Sequence, residues 1–478
     1  MFLFFSKEHP LFMAWRIFTK RTAGLSKTAY GQSLLDTSLF PQRSLFFPAF
    51  RGALAMFSAS SLGIGPEEYA KRNYANNISE YNTVLGSLTV QRRYFLLRDV
   101  YDDMQLDGVQ PIRDTFHTLI VGAMKGARLQ DSLYFMDEMK SMGMAPDTTL
   151  YNFIISTCGK SKNSDCAIQL LENMKRSGVK LKGQTYITFL CACASTGQVD
   201  QVYAIVRDMT AAGLGLNKFC YAGLITAFKN RQPVTEETTS KIIELVKQSK
   251  GWSSVEASSG TGDSGMLSVT EEELYNIPAA EFVHRRSFIN RQLTVYHTAL
   301  HACADLGSKE SVDTLMEMLK GDGDTPDIFC VIQVMRCYLH CRDIEGGKQV
   351  FDEYVNSGKL LAVELYTTLA QGAMIGHTPK GMEIAREALE KMTARGWFLT
   401  PRLGGELLTI ASGEQIGGFT TANYIWDLMQ ARHIVPPLTA VEAYHKGLME
   451  RDIPKDDPRL TQINQALSEV QRRRQIFR

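Results

Sequence analysis

Aromatic residues stand at Tyr81, Phe116, Tyr151, Tyr186 and Tyr221, each 35 residues after the one before. Two other residue types keep the same beat: methionine at Met104, Met139, Met174 and Met209, and glycine at Gly108, Gly143, Gly178 and Gly213. Three registers on one period define a tandem repeat. A unit of this length cannot bury its apolar face alone, so consecutive units must stack into a solenoid. Function in such an array belongs to the long surface that the units share rather than to a single cleft.

Each unit reads as helix, turn, helix, turn. In 148–182, Tyr151, Ile154 and Ile155 mark a first helix by their spacing, and Ala167, Leu170, Leu171 and Met174 mark one face of a second. Gly178 falls just past the second helix, where a left-handed cap favours glycine. The preceding unit ends Ala145-Pro146-Asp147: proline stops one helix and aspartate can cap the next.

A 35-residue helical pair with Tyr-Asn near its start, Met then Gly near its end and Pro-Asp at its boundary resembles the pentatricopeptide repeat, of the plain type without added domains. The tetratricopeptide pattern, with its Trp-x2-Leu-Gly signature, fits worse. The expected fold is all-α, a right-handed superhelical solenoid of stacked helix-turn-helix 35-residue repeats. The chain divides into a leader at 1–51, a linker and capping helix at 52–77, and repeats one to five at 78–252. A polar insertion with its return segment follows at 253–292. Repeats six to nine occupy 293–437, and capping helices with a basic tail occupy 438–478. The insertion up to Glu273 is rich in Ser, Gly, Asp and Glu and reads as a disordered surface loop.

The resemblance implies single-stranded RNA as ligand, one base per unit, read by the fifth and last residues of each unit with help from the second. Here those pairs are Asn82 with Ile112, His117 with Asp147, Asn152 with Lys182 and Ile187 with Asn217. The remainder are Ala222 with Trp252, His297 with Asp327, Ile332 with Ala362, Thr367 with Thr400 and Gly405 with Pro437. None is a combination the family uses to read a base, and apolar side chains cannot discriminate base edges by hydrogen bonding. Asp114 and Glu364 at second positions would repel phosphate. The scaffold is kept while the reading face is eroded. The polar members, together with Arg472, Arg473 and Arg474 in the tail, are the candidate RNA and backbone contacts.

From Met1 to Arg51 there are seven basic residues against Glu8 and Asp36, with many Ser, Thr, Phe and Leu. That is the composition of a mitochondrial transit peptide, with a plastid one as the alternative. Without it the remaining chain is near −4. A protein that grips nucleic acid unaided usually shows a basic field, so protein partners are expected beside RNA. The nine cysteines are odd in number and scattered through helical segments, and read as free buried thiols in a reducing compartment. Cys337, His340 and Cys341 share one helix and lack a second ligand pair, so they read as core rather than metal ligands.

No His-x-Glu with Cys-x-x-Cys of a zinc deaminase, no phosphate-binding glycine loop and no room for a nuclease domain after the last repeat is found. The expectation is a non-enzymatic, cofactor-free organellar RNA scaffold, most concretely within the mitochondrial ribosome. A transcript-specific processing, stability or translation factor is the alternative.

Overall fold

The computed structural model describes residues 74–235, 237–250, 267–283, 289–415, 419–451 and 457–476. The leader, most of 52–77, and 251–266 with Trp252 lie outside the described residues. All regular structure among the described residues is helical, and it falls into two compact units, Met1–Met144 and Ala145–Arg478.

In the first unit α1 (Ile78–Val90) pairs with α2 (Leu97–Leu106), and α3 (Arg113–Lys125) with α4 (Leu129–Ser141); α1 packs on α3. The second unit opens with α5 (Thr148–Lys160) and α6 (Ser164–Arg176), α7 (Gly183–Ala194) and α8 (Val199–Ala211), α9 (Lys218–Asn230) and α10 (Glu237–Ser249). Two short helices follow, α11 (Glu271–Leu274) and α12 (Ala280–Val283). The pairs then resume with α13 (Thr294–Leu306) and α14 (Lys309–Gly321), α15 (Ile328–His340) and α16 (Ile344–Asn356), α17 (Val363–Ala373) and α18 (Pro379–Ala394). The last are α19 (Pro401–Ala411) and α20 (Thr420–Gln430), and α21 (Leu438–Met449) and α22 (Pro458–Ile476). First helices pack on first helices in one row: α5, α7, α9, α13, α15, α17, α19, α21. The row runs from α9 straight onto α13, so the insertion leaves the stack unbroken.

This packing explains the composition of the helices. Within the row a first helix is covered by its partner and by two neighbouring first helices, and α7, between α5 and α9, is accordingly buried at every residue from Ile187 to Ala194. A second helix is covered on one side only. Thus α6 buries Ala167, Leu170 and Met174 and turns Asp165, Glu172 and Lys175 outward.

The Met and Gly beats are two ends of one motif. At each repeat the glycine is left-handed, with φ of 70° at Gly108, 77° at Gly143, 68° at Gly178 and 77° at Gly213. The residue after it donates its N–H to the methionine carbonyl five back, as in Met144 to Met139 at 3.1 Å. That is the Schellman cap, and the methionine side chain fills the core at the same point. The aromatic beat packs between the helices, and where the residue before the glycine is aspartate the tyrosine hydroxyl donates to it: Tyr81 to Asp107, and Tyr296 to Asp322 at 2.5 Å. A second left-handed register closes the first helices at Arg92, Ala127, Lys162 and Arg342, and sequence reasoning missed it because the residues are not glycine.

Two expectations need correction. The polar stretch does not stay a loop up to Glu273. Thr270 and Glu273 form a reciprocal capping box, Glu272 is buried, and Leu274, Tyr275 and Ile277 pack inside. The sequence signal was the Thr270-x-x-Glu273 box followed by apolar residues. The thiols are all free, but Cys341 is exposed and Cys166 half-buried, because each lies at or near a first-to-second helix turn rather than mid-helix.

Gly143 and Gly321 both have open space where a Cβ would go, but only Gly143 is left-handed. Gly143→Ala is expected to destabilise by about 1 kcal/mol, the backbone cost of that conformation. Gly321→Ala, at a helical position, is expected to be neutral or stabilising by up to about 1 kcal/mol. Urea unfolding of the two variants checks this, and equal effects would contradict the backbone account.

Candidate nucleic-acid interface

Except in the fifth unit, whose Trp252 lies outside the described residues, the last residue of a unit is also the N-cap of the next first helix. Asp147 accepts from Leu150 N at 2.9 Å, Asn217 from Phe219 N at 3.0 Å, and Asp327 from Cys330 N at 3.0 Å. Thr400 accepts from Leu403 N at 3.3 Å. A side chain that caps a helix has already committed an acceptor. Ile112, Lys182, Ala362 and Pro437 occupy the same place without capping.

The fifth positions differ in access. Asn82 and His117 are half-buried. Asn152 is 1% exposed; its Nδ2 donates to Gln184 Oε1 at 3.4 Å while its Oδ1 has no partner. Ile187, Ala222 and Ile332 are buried and apolar. Thr367 is buried and donates to Glu364 O at 3.2 Å. At Gly405 a Cβ would stand 2.5 Å from Pro437 Cδ, so that pair packs carbon against carbon. Lys182 and Thr400 are exposed. Arg472 is exposed on α22; Arg473 and Arg474 follow in the same helix, and their side chains lie outside the described residues.

One pair is brought into direct contact. His297 Nε2 donates to Asp327 Oδ2 at 2.8 Å, and the same oxygen accepts Asn290 N at 2.9 Å. Burial works against charge on Asp327, but these bonds and the cap hold its carboxyl below the usual range. Cys330 stands beside them, its atoms within 4.8 Å of both partners. Its thiol is pushed well up by burial, and the carboxylate already takes three N–H donors, so the cluster serves as a reinforced helix cap.

Sequence reasoning missed the cations on the first helices and beside them. Lys229 and Arg336 converge on Asp305, with His301 Nε2 3.5 Å from the same carboxylate. Arg291 meets the buried Glu272 in a bidentate pair at 2.6 and 2.7 Å. Lys218 Nζ donates to Arg291 O at 2.8 Å. The signal available was helical spacing, since Lys218 and Lys229 lie three turns apart on α9. Their partners are too distant in sequence to be foreseen.

Stacked pairs of helices with a repeated polar register and internally matched cations define a helical-repeat protein. The family described as the pentacotripeptide-repeat region of PRORP matches residues 88–230. A mitochondrial pentatricopeptide repeat-containing protein of Arabidopsis thaliana, At4g35850, is 56% identical over 419 residues, covering 88% of this chain and 94% of its own. The chain belongs to the pentatricopeptide repeat family. Among solved structures it is similar to the pentatricopeptide repeat protein PPR10 in complex with an 18-nt psaJ RNA element. That match has 16% identity and a TM-score of 0.35 over 88% of this chain and 58% of that one. PPR10 from maize matches at 16% identity and a TM-score of 0.32, over 88% of this chain and 72% of that one. This chain thus spans less than two thirds of the length of the RNA-bound protein. Among the described residues no helix is long and apolar enough to cross a membrane.

Two outcomes follow from the site chemistry. Asp327→Ala removes a cap and strands a buried His297, an expected cost of about 2–4 kcal/mol. Asp147→Ala removes a cap at an exposed residue and costs about 1 kcal/mol. Thermal unfolding that ranked them equal would show that the His297 bond contributes nothing. Burial, then Lys229, holds the His301 imidazole well below its ordinary 6.5. The unfolded chain therefore takes up a proton before the folded one, and stability is expected to fall as pH drops below about 6.5. His301→Gln should flatten that part of the profile in melting temperatures taken from pH 7 to 5.

Proposed function

We propose that this chain is a non-catalytic RNA-associated scaffold of mitochondria, most concretely a constituent of the mitochondrial ribosome. It contacts ribosomal or single-stranded RNA by shape and backbone charge, beside protein partners. The observation that carries this reading is the use of the base-reading register for internal work. Asp147, Asn217, Asp327 and Thr400 cap helices, and Ile187, Ala222, Ile332 and Gly405 offer no edge-specific hydrogen bond. Identity to a mitochondrial relative over most of both chains supports the location. The transcript-specific reading draws on Asn82, a half-buried polar fifth position whose Oδ1 has no hydrogen-bond partner within the chain.

Sedimentation of a mitochondrial lysate tests the assignment: the protein should co-migrate with ribosomal particles and leave them when magnesium is chelated. Migration only in light fractions would overturn it. The purified protein should bind single strands weakly and with little sequence preference. Replacing Arg472, Arg473 and Arg474 by Gln should lower affinity equally for all sequences and flatten the salt slope by about 0.7 per lost phosphate contact. Tight, salt-resistant binding to one RNA would favour the transcript-specific factor instead.

A further inference from the structure

The return segment of the insertion does not lie on the outside of the stack. It crosses the first-helix row on the face that carries the second, fifth and ninth positions of the repeats. Asn276 Nδ2 donates to Ser156 O at 3.1 Å, and Ser156 Oγ lies 3.3 Å from Asn276 Oδ1, joining residues 120 apart in sequence. Ser156 is one turn along α5 from the fifth-position Asn152, and a turn further on a Cβ at Gly159 would stand 2.9 Å from Asn276 Nδ2. The neighbouring Tyr275 packs its ring 4.8 Å from Phe219, the second residue of repeat five. Its hydroxyl lies near Gln184, the second residue of repeat four, which accepts from Asn152. Phe282 sets its ring edge-on at 5.6 Å from Phe329, the second residue of repeat seven. At the start of the segment Glu272 holds Arg291 bidentately, and Lys218 donates to the Arg291 carbonyl.

An aromatic ring on second-position side chains and a carboxylate on the local cations are the two kinds of contact that a base and a phosphate make. Tyr275 and Ile277 are 3% and 5% exposed, so the segment fills the space it occupies and leaves no room for a nucleotide beneath it. We propose that residues 268–283 form an internal strap that takes the place of RNA on repeats three to five and seven. Single strands engage this part of the face only when the strap is displaced. The proposal rests on the RNA-binding reading above. Its consequence is that apparent affinity is the intrinsic affinity reduced by the small fraction of open molecules.

The test compares full-length wild-type protein with Tyr275→Ala/Asn276→Ala in binding a mixed-sequence 20-nucleotide RNA at fixed salt. The double variant should bind at least about fivefold more tightly, as expected when the open fraction rises. In the wild type, added RNA should raise amide exchange in 268–279. If the double variant loses helicity, Glu272→Gln decides: it keeps the apolar contacts and frees Arg291, and should tighten binding about twofold. A folded variant that binds as the wild type does, with exchange in the strap unmoved by RNA, overturns the strap. Failure of both proteins to bind RNA at any salt overturns the RNA reading and the strap with it.

Discussion

The structure depends on first helices packing on first helices. Each such helix contributes an apolar ring of residues that no single hairpin can cover, and only the next repeat hides it from water. Burying one Leu, Ile or Phe contributes roughly 1.5–3 kcal/mol, and α5 alone buries Leu150, Phe153, Ile154 and Ile155. The row therefore resists interruption more than the connections do. A connection that wanders costs loop entropy, which grows slowly with length. That is why α9 meets α13 directly although more than sixty residues separate the ends of those helices. The intervening chain is free to be used for something else, provided it returns.

Helix stacking also sets a conflict at the repeat boundary. The residue that ends one unit begins the next helix, so its side chain is well placed both to cap and to face a ligand. Asp327 shows how far the first role can take over: one oxygen caps Cys330 and the other takes His297 and Asn290. The same position in Ala362 and Pro437 has lost both roles, and there the neighbouring fifth positions, Ile332 and Gly405, have become apolar packing. Where the last residue offers no polar group, a buried fifth position is most cheaply filled with carbon.

What was legible in the sequence was whatever repeats. The Tyr, Met and Gly registers report a helix interface and a Schellman cap, both local and both periodic, so Tyr151, Met139 and Gly143 declared their roles at once. The left-handed ends of the first helices were just as periodic in space but not in residue type, since Arg92, Ala127 and Lys162 share no chemistry. The pair positions could be located from the phase, yet their state could not: nothing near Asn152 says that it is covered, because Tyr275 and Asn276 come from far along the chain. Lys229 and Arg336 carried no signal in the sequence, because Asp305, which both reach, is distant from each along the chain.

That matching of charge bears on how a chain near −4 beyond residue 51 could meet a polyanion at all. Cations on and beside the row are present, but several are held within the same chain: Arg291 by Glu272, Lys229 and Arg336 by Asp305, and Lys218 by the Arg291 carbonyl. A carboxylate fixed in place acts at a high effective concentration that a free phosphate must exceed. Burial strengthens this, because a half-desolvated pair that opens must be rehydrated or re-paired at once. Binding strength on this face is then set less by how many lysines and arginines it carries than by how firmly its own acids hold them. Net charge, which suggested that RNA is not gripped unaided, points to the same conclusion from the outside. A ligand that presents several phosphates together meets that competition better than one that presents a single phosphate.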